Sequence, residues 1–195
     1  MSPVRNSLAE VSVGLAPDGA SEISYGMKSL ITGLKETEVV KRGNFTLTSG
    51  ERSDFYFDFK KAYENPRLFK KISNALALKI KGKVTCIAAT GYGGIPLATA
   101  VSLRLGLPLT LVRSEKRTHG LKKQIEGYVP TAKDLVAVVE DVCTYGTSLI
   151  KITDVLKETK AKINGCYVVI LRPEMKLLFK YPLYHLIKAK DLLRQ

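Results

Sequence analysis

The stretch LVAVVEDVCTYGTS, residues 135–148, decides the fold class. Residues 135–139 are an apolar run of strand length, closed by two adjacent carboxylates, Glu140 and Asp141. A loop of small and hydroxyl residues follows, interrupted by Tyr145, and then an amphipathic stretch, 149–159. The order reads as buried strand, acidic pair, short loop and helix. Ionised carboxylates are acceptors only and suit vicinal hydroxyls. Gly146 permits close backbone approach, Thr144, Thr147 and Ser148 offer hydroxyls, and a helix N-terminus offers unpaired N–H groups to a phosphate. The segment therefore places sugar-hydroxyl acceptors beside an anion cradle, which points to a sugar phosphate. Consecutive side chains on a strand diverge, so Glu140 and Asp141 are expected to do different jobs.

Working outward, residues 84–89 form a second buried-type strand running into the glycine-rich loop 90–94, with a helix expected near Ile95-Pro96. Strands are expected at 109–113, 135–141, 165–171 and 184–187. Residues 27–40 have roughly helical spacing. Residues 45–47 and 55–59 read as short aromatic-rich strands around a Ser49-Gly50 turn. Asn65-Pro66 is a helix start with Asn as N-cap and Pro at the first position, and Leu68, Ile72, Leu76 and Ile80 mark the buried stripe. Residues 1–25 show no sustained periodicity and read as a loose N-terminal extension before a single domain, 26–195. Strands alternating with helices, most of them continuous apolar runs, imply an α/β fold with a mostly parallel sheet covered on both faces. Ligands in such folds sit outside the carboxyl ends of the strands. The loop 90–94, the basic segment 113–127 and the segment 140–148 all fall there.

With 195 residues the chain can bury a sizeable single core, and no apolar run approaches the length of a membrane span. No apolar leader segment is visible near the N-terminus. Cys86, Cys143 and Cys166 are widely spaced and lack zinc spacing, so free thiols in a reducing cytoplasm are expected. The 31 Lys+Arg against 18 Asp+Glu give a formal charge of +13. Such a field attracts nucleic acid or small polyphosphates. No helix-turn-helix or RNA-binding motif is visible, which disfavours nucleic acid. Arg113, Lys116, Arg117, Lys122 and Lys123 cluster with Glu115 alone in 113–123. That segment suits either a solvated hairpin or a basic lid that excludes water and neutralises a leaving anion.

VVEDVCTYGTS resembles the binding motif for phosphoribosyl pyrophosphate (PRPP) in type I phosphoribosyltransferases. Three more segments are similar to the orotate branch of that family. FTLTSGERSDFYFDF, residues 45–59, resembles its Ser-Gly-x-x-Ser turn and aromatic strand. GYGGIPLA, residues 91–98, resembles its pyrophosphate loop, and VRSEKRTHGLKKQIEG, residues 112–127, its catalytic lid. The resemblance implies a small N-terminal hood, a mobile basic lid at about 113–127, and a homodimer whose lid reaches the partner's site. It implies Mg2+-dependent transfer of a phosphoribosyl group from PRPP to orotate, giving orotidine 5'-monophosphate and pyrophosphate. Catalysis would fall to Arg117, Lys116, His119, Arg113 and Asp141. PRPP would be held by Glu140, Asp141, Thr144, Tyr145, Gly146, Thr147 and Ser148, with Tyr92, Gly93 and Gly94. Orotate would meet Tyr56, Phe57, Thr144 and Arg172, and Asp141 would serve the metal indirectly through PRPP.

The chain departs from the family pattern at Thr48, Gly93, Ser114 and Arg117, where lysines are common, and at Tyr145, where the phosphate loop usually has Thr or Ala. Arg delivers charge to phosphate bidentately but with a different reach from Lys. Two alternatives stay open on sequence: a phosphoribosyltransferase for another base, and a non-catalytic regulator that binds PRPP or a nucleotide.

Overall fold

The computed structural model describes residues 19–47, 50–114, 124–172 and 180–194, with side chains from residue 26 onward. The chain begins with helix α1 (Gly19–Glu36), then the antiparallel pair β1 (Val40–Thr46) and β2 (Arg52–Phe57), and a 3-10 helix, Phe59–Glu64. Helix α2 (Pro66–Ile80) leads into β3 (Cys86–Ala89), α3 (Gly91–Leu105), β4 (Leu109–Val112) and β5 (Ile125–Gly127). Then come β6 (Leu135–Cys143), α4 (Thr147–Lys157), β7 (Lys162–Leu171), β8 (Leu183–Lys188) and α5 (Ala189–Leu193).

The central sheet runs β5-β4-β3-β6-β7-β8, and all its pairings are parallel except the edge pair β4–β5. The mostly parallel sheet expected from the apolar runs is present. From β3 the chain moves through α3 to β4 on one side, and from β6 through α4 to β7 on the other. The order therefore switches between β3 and β6, and a ligand crevice opens where such a switch occurs.

Alternation along the central strands divides the core into two layers. Ile87, Ala89, Ala137, Val139, Tyr167 and Val169 face a cluster that includes Leu34, Ile72, Leu76, Leu97 and Val101 from α1 to α3. Cys86, Ala88, Val136, Val138, Cys166 and Val168 face Leu149, Ile152, Val155 and Leu156 of α4. Both faces are buried, which is why these strands read as unbroken apolar runs rather than alternating ones. All three cysteines are free and buried.

Helix α2 starts as its sequence dictates. The Asn65 side chain accepts from the Leu68 N–H at 3.1 Å, and Pro66 takes the first turn, where its missing N–H is no loss. Such a cap contributes about 1 kcal/mol. Leu68, Ile72, Leu76 and Ile80 are buried. Cutting Leu76, fully buried, to Ala would cost about 2–5 kcal/mol.

Three boundaries differ from the sequence reading. Helix α1 spans Gly19–Glu36 instead of 27–40, ending where Glu38 adopts a left-handed φ of 51° and turns the chain into β1. Helix α3 begins at Gly91, not near Ile95, so the glycine-rich loop is the helix's own first turn. Pro96 then lies inside the helix and leaves the Tyr92 carbonyl without its i+4 donor. Strand β6 runs to Cys143 instead of ending at Asp141, because β7 continues beside it with Glu140 opposite Val168 and Cys143 opposite Leu171.

Candidate functional site

The carboxyl end of β6, the loop into α4 and the β1–β2 hood enclose a cavity of about 500 Å³. One wall is Glu140 to Leu149 with Lys151, and the other is Thr46, Leu47, Tyr56, Phe57 and Lys60. Of the residues expected to hold a sugar phosphate, Glu140, Asp141, Thr144, Tyr145, Gly146, Thr147 and Ser148 all line it. Gly146 has a φ of 78°, a left-handed conformation that favours glycine, and it precedes the first turn of α4. No side chain caps that helix, so its first N–H groups are available to an anion at the cavity floor.

The acidic pair divides as alternation requires. Glu140 is only 6% exposed, and Asp141 is more accessible. Burial, reinforced by the charge of neighbouring Asp141, pushes the Glu140 carboxyl well above the usual carboxylate range. Its Oε1 accepts from the Asp141 N–H at 3.3 Å, and Asp141 Oδ1 accepts from the Val142 N–H at 2.8 Å. Glu140 therefore tends to hold its proton. A protonated carboxyl donates as well as accepts, so the two can serve neighbouring ribose hydroxyls differently.

The glycine-rich turn of α3 supports this pair from behind. A Cβ on Gly93 would lie 2.2 Å from Asp141 Oδ2, and one on Gly94 would lie 2.9 Å from the Val139 carbonyl and 3.0 Å from Glu140 Oε1. Neither glycine lines the cavity; each lets the helix approach the carboxylates more closely than any side chain permits. Tyr63, on the 3-10 helix, donates its hydroxyl to the Gly93 carbonyl, tying the hood to this turn. Burial, with the negative charge of Asp141 and Glu140 nearby, raises the Tyr63 phenol. Tyr92 is 89% exposed and lies outside the cavity lining.

Tyr56 and Phe57 point to opposite faces of β2, as adjacent strand residues must. Phe57 is buried, whereas Tyr56 is 42% exposed, and both contribute to the cavity wall. Arg172 follows β7 and is not among the lining residues. Its guanidinium lies 4.1 Å from the centre of the Phe55 ring and donates to Ser53 Oγ at 3.2 Å. Arg113 is held at the base of the basic segment: its Nε and Nη2 both donate to Glu126 Oε1, at 3.1 and 3.0 Å, and its N–H to the Gln124 carbonyl at 2.9 Å. Strand β5, three residues long, had no readable pattern in sequence, and it pairs antiparallel with β4. Lys116, Arg117, His119 and Thr48 lie outside the described residues.

Tyr145 donates its hydroxyl to the Glu51 carboxylate of the hood turn. Two cations in the lining were missed by the sequence reading. Lys151 stands four residues after Thr147 on α4, a helical spacing that could have revealed it. Lys60 has no such signal, because it sits on a 3-10 helix too short to show a period. Among the described residues no group of three or more His, Cys, Asp or Glu side chains could hold a metal ion, and no helix is long and apolar enough to cross a membrane.

Comparison with known proteins agrees with this geometry. The phosphoribosyl transferase domain family matches residues 60–191. The chain is 39% identical over 159 residues to the orotate phosphoribosyltransferase of Methanosarcina acetivorans, covering 81% of this chain and 84% of that one. It is 41% identical over 147 residues to the orotate phosphoribosyltransferase of Methanothermobacter thermautotrophicus, covering 75% and 81%. The crystal structure of orotate phosphoribosyltransferase from Aeropyrum pernix superposes with a TM-score of 0.70 at 31% identity, covering 84% of this chain and 96% of that one. The strand–carboxylates–loop–helix unit read at 135–148 and the aromatic hood above it thus have matching relatives over most of the chain, which belongs to the phosphoribosyltransferase family and, within it, to the orotate phosphoribosyltransferases.

Proposed function

We infer that the protein transfers the phosphoribosyl group of PRPP to orotate, releasing pyrophosphate and orotidine 5'-monophosphate. The observation that carries this reading is the single cavity wall that joins the Glu140–Asp141 pair to the uncapped start of α4. The 5-phosphate would rest on Thr144, Gly146, Thr147 and Ser148, with the Tyr145 N–H completing the loop. The ribose hydroxyls would meet Asp141 and Glu140. Tyr56 would offer a ring face to the flat pyrimidine, with Phe57 and Thr144 beside it. Arg172, beside the hood strand, is proposed for the orotate carboxylate.

The reaction needs no covalent nucleophile. Orotate nitrogen attacks C1 of the ribose as the bond to pyrophosphate breaks, through a transition state with oxocarbenium character. This chain's share is to hold both partners in line and to exclude water. The Asp141 carboxylate favours positive charge on the sugar. Arg113, Lys116, Arg117 and His119 are proposed to offset the charge gathering on the leaving group. We propose a homodimer in which 113–127 of one protomer serves the site of its partner.

Magnesium fits this site only in company with its substrate. Asp141 is the accessible carboxylate, Glu140 tends to be protonated, and a hard dication usually combines one or two carboxylates with substrate phosphates and water. When bound with the diphosphate, it would supply charge neutralisation there.

Incubation of the protein with PRPP, Mg2+ and orotate, following pyrophosphate and orotidine 5'-monophosphate, tests the proposal. Turnover with adenine or guanine but not orotate would reassign the base. PRPP binding with no turnover on any base would leave a regulator instead.

A further inference from the structure

The cavity wall contains a cation that the sequence pattern gave no reason to single out. Lys60 lines the cavity beside Tyr56, Phe57 and Asp141. Its ammonium pairs with Asp58 at 2.8 Å, and the two side chains are 53% and 28% exposed. The hydrogen bond that Lys60 donates to Asp58 holds its ammonium above the ordinary value, opposed by partial burial, with smaller contributions from the charges of Asp58, Tyr56 and Asp141. Lys60 therefore stays charged and faces the carboxylate proposed for the ribose.

Its place along the cavity decides which anion it meets. Lys60 and Tyr63 lie on the same 3-10 helix, and the Tyr63 hydroxyl is anchored on the Gly93 carbonyl. Lys60 thus belongs to the end of the site where the first turn of α3 abuts Asp141, and the phosphate loop with Lys151 forms the other end. In PRPP the ribose lies between the 5-phosphate and the diphosphate. With the 5-phosphate on the start of α4 and the ribose at Asp141, the diphosphate falls beside α3 and Lys60. Gly93 itself can carry no side chain there, since a Cβ would overlap the Asp141 carboxylate. Among the described residues, Lys60 is the lining cation at that end.

We propose that Lys60 binds the diphosphate of PRPP and of the released pyrophosphate, exchanging its Asp58 partner for the ligand. The exchange costs little, because a partly exposed ion pair contributes little to stability, whereas a charge-assisted bond to a phosphate is strong. This assignment rests on the PRPP site described above.

Four proteins test it: the wild type, Lys60→Ala, Lys60→Arg and Lys61→Ala. Lys61 pairs with Glu64 at 2.7 Å and is absent from the cavity lining. Lys60→Ala should raise the KM for PRPP and the inhibition constant of pyrophosphate by about tenfold to a hundredfold, leaving the KM for orotate within about twofold. Lys60→Arg should restore most of the loss, and Lys61→Ala should match the wild type. Unchanged PRPP and pyrophosphate constants in Lys60→Ala would overturn the proposal, as would a change confined to orotate. If the wild type turned over no orotate, the proposed reaction would fail by itself, and calorimetry with pyrophosphate alone would judge Lys60. Weaker binding in Lys60→Ala would uphold the assignment; equal binding, or none to the wild type, would end it.

Discussion

Strand β6 has a carboxylate at its start and two near its end, and their environments are opposite. Asp134, just before the strand, accepts from the Thr131 N–H at 2.8 Å, Thr131 Oγ1 at 2.9 Å, Tyr128 Oη at 3.0 Å and Thr85 Oγ1 at 2.7 Å. The bond from the Thr131 N–H leads in holding its carboxyl down at about 2. Glu140 is about as buried, at 6% exposure against 8% for Asp134, yet its carboxyl is pushed up. Residue exposure alone does not set the direction: donors around Asp134 outweigh its burial, whereas burial of the Glu140 carboxyl, with a second carboxylate beside it, raises it. One end of the strand has its charge stabilised for good, and the other is left with carboxylate capacity that a ligand can complete. Ligand sites in parallel sheets lie at the carboxyl ends of strands, and the two ends of β6 show the electrostatic form of that rule.

The largest effect should come from Asp141→Asn, which is expected to lower kcat/KM for PRPP by about 100-fold, roughly 3 kcal/mol. Lys190→Ala, on α5, should stay within about twofold. Steady-state kinetics showing equal effects would erase the distinction between the two ends of β6. Next, Asp134→Ala should cost about 2–3 kcal/mol of stability in urea melts while leaving the KM for PRPP alone; a kinetic defect without a stability loss would reverse the roles assigned to the ends. The pH dependence sharpens this. The Asp134 carboxyl lies lower in the folded chain than its ordinary 3.8, so its contribution is present above that value and is lost as pH falls towards 2. The acid limb of the wild-type stability profile should flatten in Asp134→Ala.

Gly93→Ala should come third. A Cβ at 2.2 Å from Asp141 Oδ2 forces that carboxylate or the start of α3 to move, a cost of about 1–3 kcal/mol that should appear mainly in the KM for PRPP. The smallest effect is expected for Glu140→Gln. Because the folded chain holds the Glu140 proton above the ordinary 4.5, ionisation penalises the fold increasingly as pH rises past that value. Thermal melts should therefore show the Gln variant gaining on the wild type at neutral pH and little changed in acid. A variant that loses stability at neutral pH would mean that the buried carboxyl is as well served as Asp134.

Much of this was legible in advance. The continuous runs at 84–89, 135–139 and 165–171 announced strands buried on both faces, and the Asn65-Pro66 start and the Tyr56–Phe57 alternation required only local geometry. Seven residues of the 140–148 stretch proposed for PRPP do share one cavity wall, because strand, loop and helix follow one another directly. The start of α3 was misplaced because glycines carry no periodic signal, and β5 was missed because three residues cannot display one. Lys60 was missed because its relevance comes from an unrelated strand that stops beside it.

Sequence by itself determined the parallel sheet, the carboxylate–loop–helix unit and the family, since each is written in neighbouring residues whose period or order survives without a fold. Tertiary structure alone decided which carboxyl keeps its proton, why Gly93 must be a glycine, and that the hood brings Lys60 to Asp141. Those properties depend on distances and solvent exclusion between segments far apart in the chain, and no local pattern encodes them.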